Sequence, residues 1–326
     1  MGRRALITGA TGFVGGHLTE LLVAEGWQIR ALVRATSDVS RLRSLGVELH
    51  EGGLGDRDAI RRASEGVEVV YHLAAVTGLR GEKDFARANA EGTGNVVAAI
   101  RAAEPRPKRL VYLSSYAACG PSRPGKPRTL DESPGPLTAY GRTKLAGEEA
   151  VRPLDDAGVE TVILRAPPVY GPGDHAFLPY FRLIRWGIAP SPAGEELRTH
   201  MIHVRDLARA LRRAADSPPG TYPVAEPVEH LWGEIVAAMG DALGKKPRRV
   251  PLPRPLVRSA AALTQAVGDL LGRATVFNRE KADEMLAPAW VCDLSGSEAI
   301  LPPKEVTPLR EGISETASWY IRQGWL

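Results

Sequence analysis

Segments with strand-like and helix-like patterns alternate through the first half of the chain, and this alternation limits the folds open to it. Short runs rich in Val, Ile and Leu recur, and helix-period segments such as FVGGHLTELLVAEG (13–26) lie between them. Strands that alternate with helices form right-handed crossovers and a parallel sheet that is covered on both faces. We therefore predict an α/β fold whose doubly wound parallel sheet takes its strands from residues 4–8, 28–33, 46–51, 67–74, 109–114 and 159–165.

The pattern loosens near residue 170. Gly and Pro crowd the segment YGPGDHAFLPYF, and the remainder predicts helices, among them residues 203–216 and 229–244, with a few short strands. A chain of 326 residues is long enough for one large domain and a smaller companion. We predict a larger sheet domain in residues 1–169 and 199–226, and a smaller, mainly helical domain in residues 170–198 and 227–326.

The composition is ordinary for a soluble globular protein and argues against several classes. The net charge is only +4 and the basic residues are scattered, so we predict no nucleic-acid partner. No window offers the ~18 consecutive apolar residues of a spanning helix, so we predict no integral membrane segment. Two cysteines, Cys119 and Cys292, cannot make a disulfide framework, and we expect a reducing, cytoplasmic location.

The segment TGATGFVG (8–15) places Gly9, Gly12 and Gly15 between the first predicted strand and the first predicted helix. A phosphate-bearing ligand needs its oxygens close to N–H groups at a helix N-terminus, and side chains there would block the approach. The spacing differs from the Gly-x-Gly-x-x-Gly dinucleotide fingerprint, and a purely structural tight turn is the alternative. The position in the first strand-to-helix crossover favours dinucleotide binding.

The second predicted strand ends at Arg34, with Ser37 and Arg41 within reach. A cofactor with a free ribose 2′-hydroxyl usually meets an acidic residue at this point, whereas a 2′-phosphate prefers an arginine. A solvated arginine at a strand end is the alternative. We predict that NADP(H) is the favoured cofactor, with NAD(H) as the second choice.

Tyr140 and Lys144 are four residues apart in a helical segment, so both project from the same face. A tyrosine with its ordinary pKa of about 10 transfers protons poorly at neutral pH, and a nearby ammonium group would lower that pKa. Such a tyrosine can act as a general acid or base. Ser115, in SSYAACG (114–120), follows a predicted strand and could hold a substrate oxygen beside the phenol. A tyrosine at a helix start beside a solvated lysine is the alternative.

Six motifs together carry a resemblance to a known family. They occur in the order and spacing of the extended short-chain dehydrogenase/reductase family, also called the NAD-dependent epimerase/dehydratase family. The C-terminal ISETASWYIRQGWL (313–326) is most similar to its 3β-hydroxysteroid dehydrogenase-like and dihydroflavonol reductase-like branches. The likeness covers about residues 4–215, and its motifs are TGATGFVG, YHLAA (71–75), NAEGTGN (89–95), SSYAACG, YGRTK (140–144) and PPVYGPGD (167–174).

The resemblance implies a Rossmann-type NAD(P)-binding domain, a smaller substrate domain and a set of catalytic residues. In this family pattern Tyr140 is the general acid/base, and Lys144 lowers its pKa and binds the nicotinamide ribose. Asn89 matches an asparagine near the active site. Ser115 fits the catalytic serine better than Ser114 does, because the family's serine stands five residues before a glycine that is matched by Gly120.

The resemblance also implies the positions that bind the cofactor. They lie in the glycine segment, at the ends of the second to fourth strands, in the YGRTK motif and in the segment after the sixth strand. No metal site is predicted. The cofactor positions are Gly9, Thr11, Gly12, Phe13, Val14, Gly15, Arg34, Leu54, Leu73, Ala74, Ala75, Tyr140, Lys144, Pro167, Pro168 and Val169.

The chain departs from the family pattern at three places. Gly53 stands where the family usually has an aspartate that contacts adenine, so either that contact is lost or Asp56 serves another purpose. Tyr116 and Ala117 follow Ser115, where 4,6-dehydratases carry an acid pair and some epimerase-reductases a cysteine, which argues against both chemistries. Cys119 has no sequence neighbour that would lower its pKa, and we predict a packing role for it.

The second half gives weaker indications about the substrate. Pro167 replaces an asparagine that is common in nucleotide-sugar enzymes, whereas Arg198 matches an arginine that such enzymes use on a diphosphate. A surface charge is the alternative for Arg198. The predicted substrate-binding residues are thus Ser115, Tyr140 and Arg198.

Residues 255–272, PLVRSAAALTQAVGDLLG, predict a helix with one broad apolar face. Most such stripes pack in a core, so we predict that this face is buried in the smaller domain. The alternative is a lid over a lipophilic substrate that rests on a membrane surface through its arginines. The face consists of Leu256, Ala260, Leu263, Val267, Leu270 and Leu271.

Together these features predict an NAD(P)-dependent oxidoreductase that interconverts a secondary alcohol and a ketone on a fairly apolar small molecule. A nucleotide-sugar 4-epimerase with tightly bound NAD is the alternative within enzymes, and a non-catalytic dinucleotide sensor is the alternative outside them. The family resemblance further implies a homodimer through a four-helix interface that includes residues 140–151.

Overall fold

A seven-stranded parallel sheet lies at the centre of the computed structural model, which describes residues 2–77, 82–194, 196–271, 275 and 277–326. The strand order is β11-β6-β5-β4-β1-β2-β3, and every pair in the sheet is parallel. Three small sheets lie outside it: β7 with β10, β9 with β12 and β14, and β8 with β13. The prediction of a doubly wound α/β fold is confirmed.

The strands bear out the six predicted ones to within two residues at each end and add others in the second half. They are β1 (Arg4–Thr8), β2 (Gln28–Val33), β3 (Glu48–Glu51), β4 (Val69–His72), β5 (Arg109–Ser115), β6 (Glu160–Ala166), β7 (Val169–Tyr170), β8 (Ile188–Pro192), β9 (Arg198–Thr199), β10 (Ile202–His203), β11 (Gly220–Pro223), β12 (His230–Leu231), β13 (Arg248–Leu252) and β14 (Ala289–Trp290).

Thirteen α-helices are assigned among the described residues, with a π-helix at Ala86–Glu91 and 3₁₀ turns at Arg152–Ala157 and Pro303–Glu305. They are α1 (Phe13–Ala24), α2 (Ser40–Ser44), α3 (Arg57–Ser64), α4 (Glu82–Phe85), α5 (Gly92–Ala102), α6 (Tyr116–Cys119), α7 (Ala139–Val151), α8 (Leu178–Arg185), α9 (Val204–Ala214), α10 (Trp232–Ala242), α11 (Arg254–Leu270), α12 (Arg279–Leu286) and α13 (Leu309–Arg322).

Strand β1 shows why its apolar sequence forms a central strand. Successive side chains of a strand point to opposite faces, so Ala5 and Ile7 enter one core and Leu6 enters the other. Helices α1 and α9 cover the first face, and α3 and α5 cover the second. A strand that is buried on both faces needs a continuous apolar run, which RALIT supplies.

Strand β11 is the one strand of the large sheet that the sequence did not predict. It pairs with β6 at the edge and consists of only four residues, GTYP. Glycine and proline weaken any strand pattern, and an edge strand needs hydrogen bonds along one side only, so it tolerates them. The neighbour supplies the pairing that the local sequence does not indicate.

A separate apolar cluster in the second half joins α8, α10 and α13. Helix α9 lies apart from this cluster and packs on α1 beside the large sheet. Ile300 and Leu301 also join the core of the large sheet, although the predicted division assigns them to the smaller domain. The division into two domains stays a prediction.

Helix α11 contradicts the predicted core packing of residues 255–272, of which Gly272 lies outside the described residues. All six side chains of the apolar stripe are exposed, from Leu256 to Leu271. The apolar side chains that α11 buries belong to Val257 and Ala261. They lie about one third of a turn around the helix from the stripe and pack against Ala282 and Leu286 of α12. No helix among the described residues is long and apolar enough to cross a membrane.

Candidate active site

The strand order of the large sheet reverses between β1 and β4, and ligands of such sheets bind outside the carboxyl ends of the strands at this point. The glycine segment begins there. Gly9 has φ +81°, and a Cβ atom on it would lie 2.8 Å from the backbone nitrogen of Ala74, just after β4. A Cβ on Gly15 would lie 2.1 Å from the carbonyl oxygen of Gly9. Both positions therefore require glycine for close packing of β1, α1 and β4.

The N-terminus of α1 opens towards this crevice. Gly12 is the N-cap residue, and no side chain accepts a hydrogen bond from the first turn. The N–H groups of the first turn, which includes Phe13 and Val14, therefore have no partner within the helix, and Thr11 and Gly12 are exposed. An uncapped, exposed helix start behind a glycine turn fits the pyrophosphate of a dinucleotide.

A buried polar chain fixes the end of β4 beside the glycine segment. The hydroxyl of Thr8 lies 2.7 Å from Nδ1 of His72, and Nε2 of His72 lies 2.9 Å from the hydroxyl of Thr93. Burial lowers the pKa of His72 to about 3, so the ring is neutral. The backbone nitrogen of Ala74 donates to the Thr8 hydroxyl at 3.3 Å. The chain thus holds the backbone where three cofactor positions are predicted.

Leu73, Ala74 and Ala75 continue from β4, with the first two partly exposed and Ala75 exposed. Leu54 lies in the loop after β3 and packs close to Gly92 at the start of α5. Gly53 has open space around its Cβ position. Asp56 accepts from the backbone nitrogen of Ala59 at 2.9 Å and caps α3, so its carboxylate has a structural partner.

At the end of β2, Arg34 is exposed and makes no ion pair with any described residue. Arg41 instead pairs with Glu20 of α1 at 2.7 Å. The nearby Asp38 accepts from the backbone nitrogen of Ser40 at 3.0 Å. Arg34 is therefore the cation of this corner that can meet a cofactor phosphate without breaking an ion pair.

The hydroxyl of Ser115 and the phenol of Tyr140 lie together beyond the end of β5. Ser115 ends β5 and caps α6, where its Oγ accepts from the backbone nitrogen of Ala117 at 3.1 Å. Thr138 caps α7 in the same way by accepting from Gly141 at 3.1 Å, which starts the helix next to Tyr140. The Ser115 hydroxyl lies near enough to the phenol to lower its pKa.

The pKa of Tyr140 nevertheless differs in direction from the prediction. Removal of the phenol from water and the nearby Glu284 raise the pKa, the Ser115 hydroxyl lowers it, and the net result is a pKa of about 12. The lowering by Lys144 that the sequence suggested is not found. The reason is that the two side chains share a helix face but end against different groups.

Lys144 is buried with its ammonium group directed to the carbonyl oxygen of Leu113, to which Nζ donates a hydrogen bond. Nζ also lies 4.2 Å from the ring centroid of Tyr112, which gives a cation–π contact. Burial lowers the pKa of Lys144 to about 7, and the carboxylate of Glu148 opposes this. The lysine is therefore poised between its charged and neutral forms near neutral pH.

Asn89 lies in the π-helical turn before α5 and is buried. Its side chain makes two hydrogen bonds to the backbone of Val76, in the loop after β4. Oδ1 accepts from the nitrogen at 2.8 Å, and Nδ2 donates to the carbonyl oxygen at 3.0 Å. Nδ2 also donates to the hydroxyl of Thr143, at 3.3 Å. The asparagine thus joins the β4 loop to the helix that carries Tyr140 and Lys144.

A buried ion pair beside the site was missed in the sequence. Glu148 receives two hydrogen bonds from Arg165 of β6, at 2.9 and 2.8 Å, and one from the hydroxyl of Ser114, at 2.5 Å. All three residues are buried. The sequence signal was the charged Arg165 in the otherwise apolar strand VETVILR, but the sequence alone does not identify its partner. Ser114 therefore serves this pair, and Ser115 is left for the site.

The segment after β6 carries the last predicted cofactor positions. Pro167 is buried, Pro168 is exposed and Val169 begins β7. The carbonyl of Pro168 accepts from the nitrogen of Ile202 at 3.2 Å, which fixes the segment against β10. Arg198 lies apart from this, in β9, and pairs with Glu229 at 2.7 Å. A diphosphate would have to compete with that carboxylate.

Cys119 and Cys292, which are 173 residues apart, meet with their sulfur atoms 3.9 Å apart. Both are buried beside Tyr116, whose hydroxyl lies 3.2 Å from Nδ1 of His200. Cys292 and His200 also line a cavity of about 430 Å³ that Ser115, Tyr140 and Lys144 do not touch. These contacts agree with a packing role for Cys119, which stays a prediction.

Helix α12 brings an acidic face to the site that the sequence analysis did not include. Glu280 accepts from the backbone nitrogen of Ala139 at 2.7 Å and from Arg142 at 2.8 Å, so it clamps the start of α7. Glu284 follows one turn later, pairs with Lys281 at 2.6 Å, and lies near enough to Tyr140 to raise the pKa of the phenol. No local pattern could have assigned these residues, because α12 lies more than 130 residues away in sequence.

Comparisons with known proteins show the family of the chain. A model of the NAD dependent epimerase/dehydratase family matches residues 5–225. The ceramide reductase of Caulobacter vibrioides (strain NA1000 / CB15N) is 34% identical over 98% of this chain and 95% of that protein. The 4-hydroxy-2-methyl-3-oxo-4-farnesyl-3,4-dihydroquinoline-1-oxide ketoreductase of Stigmatella aurantiaca is 30% identical over 88% of this chain and 92% of that protein.

Among solved structures, the UDP-glucose 4-epimerase of Thermus thermophilus, in complex with NAD, superposes with a TM-score of 0.77. It is 23% identical and covers 98% of this chain and 99% of its own, so it shows a shared fold. The family model and the reductase relatives, together with the parallel sheet and the uncapped glycine turn, identify the chain as an NAD(P)-dependent oxidoreductase of the Rossmann type. The chain belongs to the NAD-dependent epimerase/dehydratase family, whose model matches well over half of it, and the resemblance is thereby confirmed.

Proposed function

We propose that the protein interconverts a secondary alcohol and a ketone on a fairly apolar small molecule, with NADP(H) as the preferred cofactor. The observation that carries the proposal is the meeting of the Ser115 hydroxyl and the Tyr140 phenol beyond β5, with Lys144 one helical turn from Tyr140. The uncapped start of α1 at the neighbouring strand end supports a dinucleotide beside them.

When bound, the nicotinamide cofactor supplies or accepts the hydride at the carbonyl carbon. The Ser115 hydroxyl already accepts a hydrogen bond from Ala117, so its own proton is available to the substrate oxygen. Tyr140, with a pKa of about 12, keeps its proton at neutral pH and can donate it to the more basic alkoxide oxygen that forms on reduction. We therefore propose that the site is better prepared for reduction than for oxidation.

Lys144, on the same face of α7 as Tyr140, and Asn89 support this chemistry. The Lys144 ammonium group is one helical turn from the phenol, where we propose that it binds the ribose hydroxyls of the cofactor. Asn89 joins the loop after β4 to Thr143, which lies between Tyr140 and Lys144 on α7. Arg34, exposed and without an ion pair to the described residues, supports a 2′-phosphate at the end of β2.

The substrate class is supported by the relatives and by one contact of the chain. Phe85 lies edge-on to Tyr140 with ring centroids 6.5 Å apart, which gives the site an apolar wall. The two relatives named above are called reductases of a ceramide and of a farnesyl-bearing ketone. We therefore propose a lipid-like or terpenoid-like ketone as the substrate class.

The test is an assay of NADPH and NADH oxidation with a panel of long-chain and polycyclic ketones. We expect turnover with NADPH above that with NADH. Tyr140→Phe should lower kcat by about 10²- to 10⁴-fold, as for loss of a positioned proton donor. Tyr222→Phe removes a phenol that donates to Pro218 outside the site, and this control should leave kcat unchanged.

Other outcomes distinguish the alternatives. Purified protein that retains NAD and converts UDP-sugars without added cofactor would establish the 4-epimerase interpretation, in which Arg198 would leave Glu229 for the diphosphate. Cofactor binding without detectable oxidation of either cofactor, unchanged in Tyr140→Phe, would favour the dinucleotide sensor. For the cofactor, Arg34→Ser should raise the KM for NADPH roughly tenfold to a hundredfold and leave that for NADH unchanged, because a charge-assisted hydrogen bond is lost.

We also keep two predictions about the context of the enzyme as proposals. A homodimer would pair α5 and α7 of two copies in a four-helix interface, and light scattering of the purified protein tests it. The cytoplasmic location rests on the small number of cysteines, and fractionation of cells tests it.

A further inference from the structure

The exposed stripe of α11 is the starting observation. Its apolar residues recur at intervals of three and four, so they form one continuous face of the helix. Leu263 is 67% exposed and Leu270 is 85% exposed, whereas Leu side chains usually gain free energy from burial. Among the described residues nothing packs over this face.

Helix α11 does not need this face in order to fold onto the protein. A neighbouring side of the helix packs Val257 and Ala261 on α12, and Arg258 pairs with Asp283 of α12 at 3.0 Å. The side that anchors the helix and the apolar stripe are therefore different surfaces. A binding partner outside this chain is the simplest explanation for an exposed apolar stripe that does not serve folding.

The exposed apolar side chains are concentrated in this part of the molecule. Of the fourteen large apolar side chains that are exposed among the described residues, nine lie on α11 or directly after it, on the paired strands β8 and β13, or in the segment from the end of α8 to β8. Trp186 is 81% exposed there, and tryptophan is a residue that favours the boundary between water and lipid. We call α11 together with residues 182–192 and 245–252 the apolar-basic face.

The charge of this face is strongly unbalanced. Residues 244–271 contain six Lys and Arg side chains and one acidic side chain, Asp269. Arg254 and Arg258 bond to α12 and Arg249 pairs with Glu196. The cations whose side chains make neither an ion pair nor a hydrogen bond with a described residue are Lys245, Lys246 and Arg248.

Arg182 and Arg185 precede Trp186 in the chain. Gly187, which follows it, accepts a hydrogen bond from the backbone nitrogen of Arg248. Apolar and basic side chains thus share one small unit of β8, β13 and α11.

We propose that the apolar-basic face binds the surface of an anionic lipid bilayer, with the α11 stripe in the headgroup region and the cations against lipid phosphates. Interfacial helices bind through buried apolar area together with attraction of Lys and Arg to anionic lipids. A second copy of the chain fits less well, because a two-fold contact would bring the same cations face to face. The binding does not depend on the proposed reaction.

The apolar-basic face lies close to the candidate active site. Helix α12 lies between α11 and the catalytic helix: it carries the residues that pack on α11, and its Glu280 bonds to the start of α7 beside Tyr140. A bilayer under α11 is therefore one helix away from the candidate site. If the proposed function holds, such a bilayer would keep a membrane-dissolved ketone within one helix of the helix that carries Tyr140.

The experiment is co-sedimentation of the full-length protein with vesicles of phosphatidylcholine, with and without phosphatidylglycerol. We expect binding to the anionic vesicles that weakens as salt is added, and little binding to phosphatidylcholine alone. Leu263→Glu with Leu270→Glu should weaken binding about tenfold or more, because both apolar contacts are lost and two anions are added. Lys245→Glu with Lys246→Glu should weaken binding to the anionic vesicles by at least about fivefold per removed cation.

Controls separate this result from damage to the fold. Ile321→Glu changes a side chain of α13 that is 55% exposed and should leave vesicle binding unchanged. The α11 variant should keep the melting temperature and the turnover of a water-soluble ketone. The proposal is overturned if the wild-type protein does not bind anionic vesicles, or if the α11 variant binds as well as wild type. It is equally overturned if α11 variants instead dissociate a dimer, as measured by light scattering.

Discussion

Helices α7 and α11 invert the usual rule for a helix in opposite ways. Helix α7 buries polar residues: Lys144 and Glu148 both lie inside the protein. Helix α11 exposes apolar residues, including Leu263 and Leu270. A buried charge and an exposed leucine stripe are both unfavourable for the isolated chain, and each is informative for that reason.

The comparison shows that a buried charge or an exposed apolar stripe must be interpreted from the groups that contact it. On α7, Glu148 meets Arg165 and Ser114, and Lys144 meets the Leu113 carbonyl, so every buried charge has a partner. On α11, no described residue stands opposite the stripe. The buried charges of α7 therefore find their partners inside the chain, whereas we propose that the apolar stripe of α11 finds its partner in a lipid surface.

The largest effect on stability is expected at the buried ion pair. Glu148→Ala leaves the Arg165 guanidinium buried without its carboxylate, and we expect a loss of about 3–5 kcal/mol in the free energy of unfolding. Denaturant unfolding followed by circular dichroism measures it. A double variant, Glu148→Leu with Arg165→Met, should recover much of this loss, because no unpaired charge remains. A small loss in the single variant would contradict the view that α7 depends on this pair.

The two adjacent serines offer a sharper test of which polar groups act in catalysis. Ser115→Ala should lower kcat about 10²- to 10³-fold with little change in stability, because a hydrogen-bond donor to the reacting oxygen is lost. Ser114→Ala should instead lower stability by about 1.5–3 kcal/mol, since its hydroxyl bonds to ionised Glu148, and should leave kcat nearly unchanged. Steady-state kinetics and unfolding curves of both variants decide. The reverse pattern would assign the site to Ser114.

Lys144 tests whether a buried charge on α7 is kept for stability or for function. We expect Lys144→Met to raise the KM for the cofactor roughly tenfold to a hundredfold, through loss of one charge-assisted hydrogen bond. Stability at pH 7 should change little or rise, because an apolar side chain of similar length fits a buried position. A strong destabilisation would mean that the ammonium group is needed by the fold itself.

The same residue predicts a pH dependence of stability. The pKa of Lys144 falls from 10.5 to about 7 on folding, so between these values the unfolded chain binds more protons than the folded one. Stability therefore rises with pH from about 7 towards 10 in the wild-type protein. Lys144→Met should flatten this rise in unfolding curves measured across that range. An equal slope in both proteins would refute the lowered pKa.

The smallest effect on stability is expected on α11. Leu263→Gln with Leu270→Gln should change the free energy of unfolding by only about 0.5 kcal/mol or less, since neither side chain is buried. Thermal unfolding in the absence of lipid measures it. Val257→Ala, on the buried side of the same helix, should cost about 1–2 kcal/mol and serves as the matched control. Equal losses in both would mean that the stripe packs within the protein.

The sequence indicated the sheet and much of the site because those signals are local. The run RALIT, the glycines at 9 and 15 and the four-residue spacing of Tyr140 and Lys144 each act within a few residues. The positions of Thr138 and Asp56 before their helices are also local cap signals. Local conformation and periodicity are read directly from neighbouring residues, so these features could be predicted.

Only the tertiary structure decided the features that depend on distant segments. The pairing of Glu148 with Arg165, the contact of Cys119 with Cys292 and the clamp of Glu280 on α7 join residues that no local pattern connects. The pKa of Tyr140 moved against the prediction because burial and Glu284 raise it, whereas the ammonium group of Lys144 is directed to the Leu113 carbonyl. A helical period shows that α11 has an apolar face, but only packing decides whether that face meets the core or the solvent.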